Sequence, residues 1–163
     1  SFDPNLRLSL WKTPEEARRR ILYGMKQCDI MKISEEEVAF VSEQESLEKG
    51  VSFIRDNSDI KILFVTLGNK GSIAYYKDEK IYCGGIHQEH VVDTTGAGDT
   101  FCGAVLSRIL ELGTDALTEK DIREMLLFAN AAASIVVTRK GALCSMPEPE
   151  EIRAASSLID KVL

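Results

Sequence analysis

Cysteine and histidine are too few and too scattered here to build a metal centre. Cys28, Cys83, Cys102 and Cys144 include no Cys-x-x-Cys pair, and His87 and His90, three apart in a loop-like stretch, have no further ligands beside them. A zinc site is therefore not expected. Widely spaced thiols of this kind fit a reducing cytosol. Excess positive charge is lacking too: the net charge of −6 disfavours nucleic acid and acidic membrane surfaces as partners. No apolar run approaches the ~20 residues of a spanning helix. Two familiar phosphate loops are also missing. The order Gly-x-x-x-x-Gly-Lys-Ser/Thr occurs nowhere, and Gly68-Asn69-Lys70-Gly71-Ser72 puts its lysine before the glycine. The Gly-x-Gly-x-x-Gly fingerprint fails because Gly103 lies five residues after Gly98, not three.

What remains is an ordinary globular composition, 44% apolar and 28% charged, in 163 residues, enough for one domain with a real core. Strand-like and helix-like segments alternate, which argues an α/β three-layer fold with a mainly parallel sheet. Repeats and low-complexity tracts are absent, so residues 1–163 read as one domain or the larger part of one.

The most informative stretch is Val91-Val92-Asp93-Thr94-Thr95-Gly96-Ala97-Gly98-Asp99-Thr100-Phe101. Val91 and Val92 read as the end of a short strand. From Ala97, the residues Phe101, Ala104, Val105, Ile109 and Leu112 fall on one helical face. A glycine turn opening a helix gathers free N–H groups at the positive end of the helix dipole and makes an anion site. Asp99 in that first turn complements the dipole, or it accepts a proton from a hydroxyl while the turn stabilises charge on a phosphoryl group.

Asp93 to Phe101 resembles the signature of the ribokinase-like (PfkB) carbohydrate kinases. The resemblance implies the ribokinase-like three-layer α/β/α fold, with Asp99 as catalytic base and the Gly96, Ala97 and Gly98 amides as anion hole. It covers only the C-terminal half of such proteins. Ser1 is therefore expected to follow about as many residues again, carrying a lid and the segment that chooses the sugar. On its own the chain is expected to be inactive.

Taken in order, Asp3-Pro4-Asn5-Leu6-Arg7 is a loop, since Pro4 keeps its predecessor extended and Asp and Asn favour turns. With Leu8-Ser9-Leu10-Trp11 it resembles fructokinases, which implies Asn5 and Arg7, with Asp99, as sugar contacts; a structural ion pair is the other reading of Arg7. Thr13-Pro14-Glu15-Glu16 starts a helix with a capping box between Thr13 and Glu16, and Ala17, Ile21, Leu22 and Met25 form its inner stripe. Arg18, Arg19 and Arg20 splay around that helix as a solvated face. Residues 29–33 form a strand. Ser34 and Glu37 form another capping box, which explains them without any function. The resemblance gives Glu37 a competing role near magnesium, through water; the family's asparagine is Ser34 here.

Residues 47–56 form a helix with Leu47, Val51 and Ile54 inward, and 60–66 form a strand buried on both faces. The loop at its end, through Gly68 and Gly71, is an ordinary turn or, by resemblance, part of a nucleotide site with Thr66, Gly68, Gly71, Asn130 and Lys32. Residues 72–76 and 80–83 form an antiparallel hairpin. After Thr118, a helix carries Ile122, Met125, Leu126, Ala129, Ala132 and Ala133 on one stripe. Asn130 on that helix bonds within the core or, by resemblance, lies beside adenine. The stretch from Thr138 to Pro147 also resembles the family, which implies a potassium-like cation held by Asp93, Thr95, Val136, Arg139, Gly141 and Ser145. Residues 148–163 form a final amphipathic helix.

The expected function is ATP- and magnesium-dependent phosphorylation of a sugar hydroxyl, with fructose giving fructose 6-phosphate. The alternatives are a ketodeoxygluconate or ribose type of kinase, or a catalytically silent nucleotide-binding relative. Sugar and ATP are the expected partners, with a homodimer formed through the lid.

Overall fold

A computed structural model of the chain describes residues 1–159. Four strands form one sheet in the order β1-β2-β3-β4: β1 Ile30–Ser34, β2 Ile62–Thr66, β3 Gly71–Tyr76 and β4 Glu79–Gly84. The chain divides into two compact units, residues 1–67 with 74–79, and residues 68–73 with the chain from Lys80 onward. No helix among the described residues is long and apolar enough to cross a membrane.

In the first unit, β1 and β2 run parallel with Ile30 opposite Ile62 and Ser34 opposite Thr66. Phe2 adds a parallel bridge on Met31, through Phe2 N–H to the Ile30 carbonyl and Lys32 N–H to the Phe2 carbonyl. The strand expected over 60–66 starts at Ile62, because the Lys61 and Ile62 N–H groups both turn to the Asp29 carbonyl. Ile62 to Val65 are buried, as a strand covered on both faces requires.

Three helices complete this unit: α1 Pro14–Met25, α2 Glu35–Ser42 and α3 Leu47–Asp56. Each starts on a hydroxyl cap. Thr13 accepts from Glu16 N–H, Ser34 from Glu37 N–H and Ser46 from Lys49 N–H. The Ser34–Glu37 capping box is complete. Of the box expected at Thr13, the half from Glu16 N–H to Thr13 Oγ1 is present, and the Glu15 carboxylate also bonds the Thr13 side chain. The α1 stripe is buried at Ala17, Ile21 and Met25, while Arg19 and Arg20 are exposed. Arg18 leaves the solvated face to donate to the Val41 carbonyl and pair with Glu43.

The two residues Lys77 and Asp78 join β3 to β4. So short a connection serves only an antiparallel pair, as the sequence predicts. Helix α4 spans Ala97–Leu112, α5 Glu119–Val136 and α6 Pro149–Ile159. Phe101, Ala104, Val105 and Ile109 of α4 are buried, as are Ile122, Met125, Leu126, Ala129 and Ala132 of α5. These two helices pack together, and α6 packs on α5. Residues 160–163 of the expected last helix lie outside the described residues.

Two expectations are corrected here. Leu112 is 42% exposed, because it is the last helical residue before the chain leaves through Gly113 at φ +77. Val91 and Val92 form no strand: both are more than half exposed, and the Val92 and Asp93 N–H groups converge on one carbonyl, that of Val137, instead of entering a ladder.

Packing between α2 and α3 depends on Gly50. A Cβ there would lie 2.5 Å from Val38 Cγ1 and 2.9 Å from Ser42 Oγ. Alanine would gain about 1 kcal/mol of helix propensity, but overpacking a closed core costs about 1–3 kcal/mol. Gly50→Ala is expected to lower the urea midpoint; a raised midpoint would show that the α2–α3 contact yields.

Candidate active site

The start of α4 differs from the other helix starts just described. Helices α1, α2, α3 and α5 all begin on a serine or threonine whose oxygen accepts a first-turn N–H. Helix α4 begins on Gly96, at φ 84 and ψ −6, with no side-chain cap. Only glycine adopts that left-handed conformation without strain, and a Cβ would also lie 3.3 Å from Ala142 Cα and Cβ. Ala97 N–H makes a long 3.3 Å turn bond to the Thr94 carbonyl, and Thr100 N–H bonds Gly96 O at 2.8 Å. A helix start without a side-chain oxygen keeps its positive end open to an anion. Asp99 lies in this first turn and is exposed. Beside it Thr100 is buried, and its hydroxyl has no hydrogen-bond partner among the described residues. Nothing in the sequence marked that orphan.

Asp93 ties two loops together at the same end of α4. One carboxylate oxygen accepts Thr95 N–H at 2.9 Å and the other accepts Gly141 N–H at 3.2 Å. These contacts hold the Asp93 carboxyl below its usual range, the Thr95 bonds contributing most. Gly141 has φ +97, and its carbonyl accepts from Ser145 Oγ at 2.6 Å. The Val136 carbonyl accepts Arg139 N–H, and the Arg139 guanidinium reaches the Ser145 carbonyl and Glu151. The residues expected at a cation site are thus drawn into one hydrogen-bonded network by Asp93 and Arg139. Their donor set, carbonyl oxygens with one carboxylate, is the chemistry that a hard cation takes. The Val137 carbonyl, which anchors Val92 and Asp93, was not anticipated.

Gly68 and Gly71 flank a single 3-10 turn. Gly68 has φ +60 with open space where a Cβ would be, so the turn alone requires it. At Gly71, φ is +106 and a Cβ would lie 2.2 Å from the Cys83 carbonyl oxygen. The Asn130 side chain, mostly buried, accepts from Ser72 Oγ at 2.9 Å and donates to the Cys83 and Gly84 carbonyls at 3.2 Å. Gly71 and Asn130 therefore fix the β3–β4 crossing to α5. Those bonds occupy Asn130 within the core, the first of its two readings. Thr66 ends β2 half-buried.

In the first unit, Asn5 takes a left-handed conformation at φ 43, and its N–H bonds Asp3 Oδ1 at 3.1 Å. Asn5 and Arg7 are exposed; among the described residues Arg7 bonds only the neighbouring Leu6 carbonyl and forms no ion pair. Glu37 is buried, and both its oxygens accept backbone N–H groups, from Leu6 at 2.6 Å and Ser34 at 2.9 Å. Lys32 is buried against Asp3 at 3.1 Å. Burial pushes the Asp3 carboxyl up, and the Lys32 ammonium only partly offsets it. Asp3 was missed as a site residue. Its signal was Lys32 itself, a charge inside an apolar strand that needs a buried counter-charge.

Comparisons with known proteins show the family. The description "pfkB family carbohydrate kinase" matches residues 1–149, and the chain belongs to that family. It is 42% identical over 154 residues to fructokinase-1 of Oryza sativa subsp. japonica, covering 93% of this chain and 47% of the relative. A fructokinase double mutant from Vibrio cholerae O395, in a form bound to fructose, ADP and potassium ion, is 33% identical with a TM-score of 0.84. That match covers 94% of this chain and 48% of that one. Arabidopsis thaliana ribokinase complexed with ribose and ATP is 33% identical with a TM-score of 0.70, covering 81% and 42%. The chain thus spans about half the length of these relatives, and its fold is ribokinase-like.

Because the folded state holds the Asp93 carboxyl below its ordinary 3.8, its stabilising contribution is present above that value and is lost as pH falls through the folded one. Asp93→Asn is expected to melt lower than the parent chain at pH 7, with the gap closing below about pH 3.8. A gap of constant size down to pH 2.5 would assign the effect to shape instead of charge.

Proposed function

We propose that the polypeptide carrying this chain transfers the γ-phosphoryl group of ATP to a sugar hydroxyl, with fructose as the acceptor and fructose 6-phosphate as the product. The observation that carries this is the uncapped start of α4 with Asp99 in its first turn. The amides of Gly96, Ala97 and Gly98 hold the transferring group. Asp99 takes the proton of the acceptor hydroxyl as the new O–P bond forms and the bond to the β-phosphate oxygen of ADP breaks. A carboxylate is a weak base towards an alcohol, so positioning and charge stabilisation supply most of the acceleration.

Magnesium, when bound, neutralises charge on the ATP phosphates. Glu37 would hold it through water, using the lone pairs its backbone bonds leave. The family resemblance assigns Thr66, Gly68 and Gly71 to the nucleotide, and Asn5 and Arg7 to the sugar. Fructose is supported by the identity to the rice fructokinase and by the fructose in the Vibrio cholerae structure. A ribose acceptor is the second reading, supported by the ribose-bound Arabidopsis ribokinase. A potassium ion at Asp93, Thr95, Val136, Arg139, Gly141 and Ser145 is supported by the oxygen donor set and by the potassium in the Vibrio cholerae structure.

Asp99→Asn, measured in the active polypeptide, is expected to lower kcat by ~10²–10⁴, the contribution of a positioned general base. Affinity for ATP should change little, since asparagine is nearly isosteric. Near-normal turnover with a lowered Tm would return Asp99 to dipole complementation alone. For the cation, potassium is expected to raise the Tm of the chain above that in a bulky organic cation at equal ionic strength, and Asp93→Asn to remove the difference. Equal melting of the parent chain in both salts would contradict the site.

A further inference from the structure

Lys32 sits in β1 between Met31 and Ile33, both fully buried, and is itself 7% exposed. An ammonium held there costs several kcal/mol unless it is closely paired. Its partner is Asp3, whose two carboxylate oxygens lie 3.1 and 3.3 Å from Nζ. Asp3 Oδ1 also accepts the Asn5 N–H. One residue earlier, Phe2 is fixed to the Lys32 backbone by the Lys32 N–H. At the far side of the turn, Leu6 N–H donates to Glu37 Oε1. The segment from Asp3 to Arg7 is therefore pinned on both sides of Asn5, whose left-handed φ of 43 needs holding. The side chains left outside the clamp are those of Asn5 and Arg7, both exposed.

We infer that Lys32 is a positioning residue for the sugar-contacting loop and not a nucleotide ligand, acting through Asp3 as Glu37 acts through Leu6. The sugar role of Asn5 and Arg7 rests on the function proposed above; the clamp does not. A phosphate that drew the ammonium away would leave the Asp3 carboxylate buried and unpaired, and burial already raises its pKa. The chemistry therefore favours Lys32 staying on Asp3 when nucleotide binds. This replaces the nucleotide contact expected of Lys32 from the sequence.

The test uses the active polypeptide that carries this chain, with Lys32→Met, and with the double change Lys32→Met and Asp3→Asn, which removes both charges and guards against a variant that fails to fold. Hydrogen exchange at Leu6 N–H reads the loop. Calorimetry with fructose and with MgATP reads the two ligands. In either variant Leu6 should exchange about tenfold faster and fructose should bind about tenfold more weakly, the size of one lost charge-assisted bond. MgATP affinity should stay within about twofold. Unchanged Leu6 exchange, unchanged fructose affinity in a chain whose loop has loosened, or a selective loss of MgATP binding each overturns the inference. A parent polypeptide that binds MgATP but no sugar counts against the proposed function, and Leu6 exchange then decides the clamp by itself.

Discussion

A helix start with no side-chain oxygen to cap it is the constraint on which the second unit depends. The first N–H groups of any helix need acceptors, and four other helices here find one in a serine or threonine. At α4 the left-handed Gly96 removes that option, because the residue has no side chain and its space is bounded by Ala142. A threonine at this position would cap the helix and close the anion site together. The local stability given up at the start of α4 is thus inseparable from the chemistry proposed for it.

The loops around that start are held by charge and backbone geometry more than by apolar burial. Asp93 joins Thr95 to Gly141, and Arg139 joins Ser145 to Glu151. Behind them lies the packed face between α4 and α5, built from Phe101, Val105, Ile109, Ile122 and Met125. The division is one expected of a catalytic site: a rigid scaffold, with the reacting groups on connecting segments that it holds in place. The same logic appears at Asp3, half-buried, and Glu37, buried, whose carboxylates fasten a loop whose tip stays exposed.

Local chemistry was legible in the sequence wherever the partner lay within a few residues. The Ser34–Glu37 box, the Pro14 start, the bounds of α3 and the glycine turn into α4 all follow from nearest-neighbour rules. Partners brought from afar were not legible. Asn130 meets Ser72 across 58 positions, and Lys32 meets Asp3 across 29. Gly71 reads as a turn residue, yet the backbone of Cys83 is what excludes a side chain there. Val91 and Val92 have strand propensity, but propensity does not supply a neighbouring ladder, and the Val137 carbonyl took their segment instead. For Asp99 periodicity alone leaves two readings open, and the family resemblance is what favours the catalytic one.

The central claim is that the open N-terminus of α4 receives the phosphate groups of ATP. Amide NMR of the chain during titration with MgATP tests it most directly. The account predicts saturable shifts at the N–H groups of Gly96, Ala97 and Gly98, while those of Leu47, Glu48 and Lys49, under the Ser46 cap, stay in place. Saturable binding of MgATP that leaves the Gly96, Ala97 and Gly98 amides unmoved would contradict it.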